Sequence, residues 1–292
     1  MGLRKGLNLN LRSLERWIML LHGDLNTFKT YLAGAFLAAI IRAGGTAVFL
    51  NVQGEDGMTT LANFPEIIPS KHIWEADDYA GLKEAMEYLE AHPVDGLSID
   101  SGKAWANLVM YFVTLGVDRP LRIPKEKGEE SQDWPELIHY VWRNLTNLRP
   151  LAKRVIMTCP SDLSASFLDL EKNQWKKTKK IMPDFPGQKL PGQSPGWFDF
   201  VGYCEATILG PDNIHRELHF ESSQHWSSRA RVEIPFVAPI VIPDCVKKDG
   251  CGAWFEIEKE MKAHFNEGGD APVAENDEEP PFDPPVTGTI RL

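Results

Sequence analysis

Lys29-Thr30 follows Gly23 by six residues, and the segment Gly23-Asp-Leu-Asn-Thr-Phe-Lys-Thr30 comes directly after the apolar run Ile18 to His22. This is the outline of a phosphate-binding loop. In the pattern G-x-x-x-x-G-K-[ST], backbone N–H groups and a helix N-terminus cradle phosphates, the lysine reaches the β- and γ-phosphates, and the hydroxyl holds Mg²⁺. Gly23, Lys29 and Thr30 fit, while Phe28 stands where the second glycine belongs. A lysine that opens a helix opposes the helix dipole unless an anion is bound there, so an ordinary strand-to-helix turn explains Lys29 poorly. The candidate nucleotide-binding segment is therefore Gly23, Asp24, Leu25, Asn26, Thr27, Phe28, Lys29, Thr30 and Tyr31.

Such a loop needs a buried strand before it and a helix after it. Arg16 to His22 reads as the strand, and Thr30 to Ala43 as a helix with small and apolar residues almost all round, ended by Gly44-Gly45. Thr46 to Val52 is a second buried strand. Lys71 to Trp74 predicts a short strand, Tyr79 to Ala91 an amphipathic helix, and Gly96 to Asp100 a strand closed by Asp100-Ser101. Helices follow at Ala104 to Leu115 and Trp134 to Leu148, then a buried strand at Arg154 to Cys159. This alternation predicts an α/β fold of parallel β-α-β units, with helices covering a mostly parallel sheet.

The character changes after Pro160. Residues 161–198 show little periodicity and carry five lysines from Lys172 to Lys180, then four prolines from Pro183 to Pro195, so a long inserted loop is expected there. Val201 to Leu209 and Ile214 to Glu221, separated by Gly210-Pro-Asp-Asn213, predict a β-hairpin. The expected organisation is a nucleotide-binding domain over residues 1–240, a segment with a short helix over 241–265, and an acidic, proline-rich flexible tail over 266–292.

The 43% hydrophobic content of the 292 residues suits a globular chain with a real core. Its start has no signal-like apolar region, and the longest apolar run, Tyr31 to Ile41, is too short to span a bilayer, so a cytoplasmic protein is expected. The four cysteines are scattered and match no common zinc spacing; they read as buried or idle thiols. A net charge of −10 argues against indiscriminate nucleic-acid binding, although the acidic tail supplies much of it.

Gly23-Asp-Leu-Asn-Thr-Phe-Lys-Thr-Tyr-Leu-Ala33 resembles the phosphate loop of RecA-core P-loop ATPases of phages and plasmids, including RepA-like helicases, in which a Ser-Phe-Lys-Thr form occurs. Val94-Asp-Gly-Leu-Ser-Ile-Asp-Ser101 resembles the strand that carries that family's Walker B aspartate. Gln132 to Leu137, Val155 to Cys159, Gly187 to Gly192 and Phe198 to Val201 are similar to phage RecA-like ATPases of single-strand annealing and recombination. The resemblance covers residues 15–235. It implies a RecA-like fold that binds ATP and Mg²⁺, with Lys29 on the phosphates and with Thr30 and Asp100 organising the metal. It also implies homo-oligomeric assembly as a ring or filament, work on single-stranded DNA, and host cytoplasm as the location of a phage-encoded protein.

Three departures from the family bear on catalysis. Gln53 stands where a glutamate orients the attacking water, with Glu55 two residues on as the substitute; Asp24 puts a carboxylate inside the loop; and Cys159 ends the strand where a polar sensor is usual, leaving Thr158. An ATPase and a nucleotide-bound scaffold or regulator therefore both remain open. RecA-type cores grip single strands with two loops, here at Gly116 to Asp133 and Ser161 to Trp197. These hold Arg119, Arg122, Lys172, Trp175, Lys176, Lys177, Lys179 and Lys180, cations for phosphates around an indole on which a base could stack. The alternative is a solvated basic loop. Arg229 and Arg231 read as salt-bridging residues or as fingers toward a neighbouring subunit's nucleotide. His215 and His219, four apart on a strand, read as core or surface histidines rather than a zinc pair. The acidic tail is a candidate partner-binding segment, and no membrane association is expected.

Overall fold

The computed structural model describes residues 15–53, 56–113, 133–162, 166–169, 174–177, 180–187, 189–210, 213–231, 236–242 and 252–264. In chain order the elements are β1 (Trp17–Gly23), α1 (Lys29–Arg42), β2 (Ala47–Val52), α2 (Pro69–His72), β3 (Ile73–Ala76), α3 (Tyr79–Ala91), β4 (Val94–Asp100), α4 (Gly102–Val113), α5 (Asp133–Asn147) and β5 (Ala152–Asp162). They continue with β6 (Ser166–Asp169), β7 (Gln174–Lys177), β8 (Met182–Pro183), α6 (Leu190–Gln193), β9 (Phe200–Gly210), β10 (Asn213–His219), β11 (Arg229–Ala230), β12 (Ile240–Ile242) and α7 (Gly252–His264). A 3₁₀ segment, Asp56–Asn63, follows β2.

One sheet organises the chain, in the order β12-β10-β9-β1-β5-β4-β2-β3, with β8 on β5 and β11 on β9. The strands from β3 to β9 along this order run parallel, and the edge formed by β10 and β12 is antiparallel. The continuously apolar β1 and β2 are buried along their whole length, as strands covered on both faces must be. This mostly parallel sheet between helices is the architecture that the sequence predicts. Strand alternation sorts the core into two clusters. Met19, Leu21, Phe49 and Ile156 pack on one face with Leu32, Phe36 and Ile40 of α1. Leu20, Val48, Leu97 and Met157 pack on the other with Trp105 of α4 and Val141 of α5.

Two regions differ from the sequence reading. Residues 161–198 contain β6 and β7, an antiparallel pair with Leu168 opposite Trp175, and β8, α6 and a 3₁₀ turn; Phe185, Leu190 and Phe198 are buried in the second cluster. Period-2 patterning is faint in strands of two to four residues, and the basic composition masks it. The second is α7, whose Trp254, Ile257 and Met261 pack beside α1 in the first cluster. Trp254 meets Phe36 at 4.9 Å and Trp17 at 5.9 Å between ring centroids. Among the described residues no helix is long and apolar enough to cross a membrane.

With Trp254 only 1% exposed, Trp254→Ala should cost about 3–5 kcal/mol. The measurement is urea unfolding of the full chain followed by far-ultraviolet circular dichroism. A midpoint unchanged from wild type would mean that α7 contributes nothing to the stability of the α1-side core.

Candidate functional site

β1 lies between β5 and β9 and ends at Gly23, so the loop that follows rises from the middle of the sheet. Gly23 is opposite Cys204 of β9, and a Cβ on it would come within 2.4 Å of the Cys204 carbonyl oxygen and 2.6 Å of Thr27 Oγ1. Only glycine fits there. Immediately before it, His22 is fully buried and joins β1 to the end of β5 and to the segment after β10. Its Nε2–H donates to the Ser227 carbonyl (2.6 Å), which leaves Nδ1 to accept from the Ser161 hydroxyl (2.9 Å).

The turn reaches α1 through two left-handed residues, Asn26 (φ 62°) and Phe28 (φ 59°). Glycine is usual at the second position because it takes this conformation without strain; here Phe28 adopts it at a cost on the order of 1–3 kcal/mol and packs its ring against the α1-side core. No side chain caps α1 and no acidic residue lies in its first turn. The N–H groups at its start are thus left to an anion. Thr27 Oγ1 donates to the Asp24 carbonyl (2.7 Å), closing the turn.

Lys29 folds back across this loop. Its ammonium donates to the carbonyls of Gly23 (2.9 Å) and Asp24 (2.6 Å) and to Thr27 Oγ1 (3.1 Å). Burial pushes its pKa below the ordinary lysine value, against the opposing pull of nearby groups including Asp100. A charge held in a part-buried loop at a helix N-terminus is stabilised by a bound anion. One turn on, Thr30 Oγ1 donates to Asp100 Oδ2 (2.8 Å), and Thr158 Oγ1 of β5 donates to Asp100 Oδ1. Hydroxyls from α1 and β5 therefore fix both oxygens of a carboxylate that is only 5% exposed at the end of β4.

These groups open into one cavity of about 610 Å³, lined by the loop from Leu25 to Tyr31, by Asp100, Ser101, Thr158 and Cys159, and by Gly57, Thr60 and Asn63 of the 3₁₀ segment. Gly57 lies over the pair below it, since a Cβ there would stand 3.1 Å from both Asp100 Oδ2 and Thr30 Oγ1. On the far side the cavity is closed by Arg216 of β10 and Ile242 of β12.

The candidate residues divide accordingly. Leu25, Asn26, Thr27, Phe28, Lys29, Thr30, Tyr31 and Asp100 line the cavity. Asp24 is exposed and contributes its backbone carbonyl. Gln53 does not join them: it is exposed, left-handed (φ 55°) and tied by its N–H to the Ala76 carbonyl on β3. It stands one position past the end of β2 and is not among the residues that line the cavity. Glu55, Arg119, Arg122, Lys172 and Lys179 lie outside the described residues, and Trp175, Lys176 and Lys177 belong to β7. The Lys180 ammonium donates to Ser222 Oγ (2.8 Å). Arg229 and Arg231 donate to the Gly196 carbonyl, and Arg231 also pairs with Asp199, so both act as structural cations. Cys159 and Cys204 are buried free thiols with raised pKa values, that of Cys204 to about 12, through burial.

Sequence reasoning missed three contributors. Arg216 sits on a strand far along the chain from the loop, and Gly57 carries no chemistry of its own. The third is Asn51, beside Asp100 in the parallel register of β2 and β4; it is 1% exposed, and its Nδ2 has no hydrogen-bond partner. The only available signal was one polar residue in the otherwise continuous apolar run Ala47–Val52.

No family model matches the chain, and no curated protein sequence matches it. Among solved structures, a KaiC-like protein, PH0186, from the hyperthermophilic archaeon Pyrococcus horikoshii OT3 is similar, with 16% identity over 78% of this chain and 89% of that one and a TM-score of 0.43.

Burial, opposed by the bond to Ser227, lowers the His22 pKa from 6.5 to about 4. Between those values the unfolded chain binds a proton that the folded chain excludes, so stability is full above pH 6.5 and is lost as the pH falls toward 4. The loss amounts to roughly 3 kcal/mol. Urea unfolding across this range should show the decline, and His22→Gln should remove that part of the slope; an identical slope in the variant would refute the assignment.

Proposed function

We propose that this chain binds ATP with Mg²⁺ in the cavity at the end of β1 and hydrolyses it, acting on single-stranded DNA in phage recombination or replication. The observation that carries the nucleotide reading is one carboxylate, Asp100, gripped by Thr30 from the loop helix and by Thr158 from the neighbouring strand. Lysine, hydroxyl and carboxylate are then in one cavity at an uncapped helix N-terminus, the set that triphosphate binding requires.

The residues fit the metal as well as the nucleotide. Thr30 uses its proton on Asp100 and keeps its lone pairs for a cation; the unpartnered Nδ2–H of buried Asn51 beside Asp100 is a donor, which serves an oxygen and not the metal. Thr30 and Asp100 would hold Mg²⁺, which when bound neutralises charge on the phosphate oxygens. Lys29 exchanges its loop carbonyls for phosphate oxygens, and the N–H groups at the start of α1 take the remainder. Thr158 holds Asp100 in place, and Arg216 faces the cavity from the opposite wall. Phe28, part of the left-handed turn, sets the entry angle of α1.

A second reading, a nucleotide-bound scaffold or regulator, is favoured by one specific observation. Asp100 is the only carboxylate among the described residues lining the cavity, and Gln53 is not among them. The two readings differ in turnover and agree in binding.

The DNA reading draws on the position of the basic segment. It follows β5, whose Cys159 and Pro160 line the cavity, so nucleic acid held on that segment would be connected to the nucleotide through β5. The alternative of a merely solvated basic loop makes no such connection.

Fluorescent ATP-analogue titration should show Mg²⁺-dependent binding to the wild type and its loss in Lys29→Ala. Steady-state phosphate release with and without single-stranded DNA then separates the readings, because turnover identifies the ATPase and binding without turnover identifies the scaffold. For the nucleic acid, Trp175→Ala should weaken single-strand binding by about 1–3 kcal/mol if a base stacks on the indole. Unchanged affinity and salt dependence in that variant would remove Trp175 from the interface.

A further inference from the structure

The face of β10 opposite Arg216 holds a second cluster of donor atoms. His219 is buried against the mutually stacked Tyr203 and Trp226 rings, at centroid distances of 5.8 and 4.5 Å. Its Nδ1 is 3.1 Å from Glu221 Oε1, while its Nε2 faces Glu205 Oε2 at 3.1 Å and Glu217 Oε2 at 3.5 Å. Glu205 and Glu217 are cross-strand partners on β9 and β10, so their side chains project from the same face of the sheet. The donor atoms of Glu205, Glu217 and His219 all lie within 4.8 Å of one another. The other oxygen of Glu217 is held by His215 Nε2 at 2.9 Å.

With its Nδ1–H donated to Glu221, a neutral His219 turns the Nε2 lone pair toward two carboxylate oxygens. Three electron-rich atoms then face one another, an arrangement that a shared cation satisfies, as would a proton on Nε2. A Zn²⁺ ion bonded at about 2.0–2.2 Å to each of three tetrahedral ligands needs donors about 3.3–3.5 Å apart, close to the imidazole–carboxylate separations here. A carboxylate on the far nitrogen, fixing tautomer and ring orientation, is the usual support of a zinc-bound histidine, and Glu221 supplies it. One imidazole with two carboxylates suits zinc and related transition ions better than Mg²⁺ or Ca²⁺, which prefer all-oxygen sets.

We propose that Glu205, Glu217 and His219 form a zinc site on the β9–β10 ribbon, with Glu221 and His215 as positioning residues and the fourth coordination position open to water. The site is separate from the nucleotide cavity and does not depend on its function. The two histidines of β10 are not joint ligands; the second and third ligands are carboxylates, one of them from the neighbouring strand.

The test is calorimetric titration of Zn²⁺ into chelator-stripped full-length protein, with Co²⁺ absorption and tryptophan quenching as independent readouts. One Zn²⁺ per chain is expected, with affinity reduced at least about 10-fold in Glu217→Gln and His219→Ala, about 10–100-fold in Glu221→Gln, and unchanged in Asp100→Asn. Co²⁺ should quench Trp226, and Trp226→Phe should remove that component. Circular dichroism confirms folding of each variant, and Glu217→Gln, on a partly exposed residue, keeps the test valid if His219→Ala fails to fold. Absence of one-to-one binding, or equal affinity in wild type and Glu217→Gln, would overturn the proposal and leave a proton on His219 as the occupant.

Discussion

The Asp100 carboxylate is the point on which the candidate site depends. It receives Thr30 from α1 and Thr158 from β5 while belonging to β4, so three elements that approach one another through separate packing are locked at their site-facing ends. β4 and β5 are neighbours in the sheet, and α1 lies across the same face, with Ser98 of β4 also donating to the Ala33 carbonyl. A part-buried carboxylate needs such donors, because without them its desolvation is uncompensated. The same donors leave it rigid. A carboxylate fixed in this way can serve a cation without first being ordered, which is the preorganisation that phosphate chemistry draws on.

The loop reaches this geometry by an uncommon route. Its backbone must turn left-handed just before α1, and a glycine there would carry the turn without strain. Phe28 carries it instead, and its ring joins Tyr31, Trp17 and Phe36 in or against the α1-side core. Burying an aromatic side chain gains roughly 1.5–3 kcal/mol, comparable with the strain of the left-handed backbone. The substitution thus exchanges conformational freedom for anchoring, and the pattern departure and the core packing have one cause. At Gly23 no such exchange is possible, since the Cys204 carbonyl fills the space.

How much was legible in the sequence follows from the range of the interactions concerned. β1, α1, β2, α3, β4 and β5 are defined by local patterning, continuous apolar runs or helical spacing, and the Lys29-Thr30 pair follows from the loop between two of them. Asp100 was legible because a carboxylate closing a buried strand has few structural reasons to be there. What was not legible depends on contacts across the chain. The placement of β9 against β1, which brings Cys204 to Gly23, leaves no local mark. The turn at Gln53 is a backbone conformation, and residue type alone does not tell which way a side chain leaves it. A short helix was legible in residues 241–265, but only the fold shows that α7 begins at Gly252 and that its Trp254 meets Trp17 and Phe36.

The β9–β10 ribbon shows how one short element serves two environments. Successive residues of a strand face opposite sides, so Arg216 and Glu217, adjacent in sequence, meet different surroundings: Arg216 the cavity at the end of β1, and Glu217 the carboxylate–imidazole cluster. β9 divides in the same way. The Cys204 carbonyl packs on Gly23 at the root of the β1–α1 loop, and the next residue, Glu205, enters the cluster. A shift of this ribbon along β1 by one residue would exchange the two faces and take Cys204 out of register with Gly23. Register on the ribbon and shape of the loop are therefore a single constraint. Whatever stabilises His219 among its carboxylates also holds Cys204 against Gly23, and through it the turn that presents Lys29.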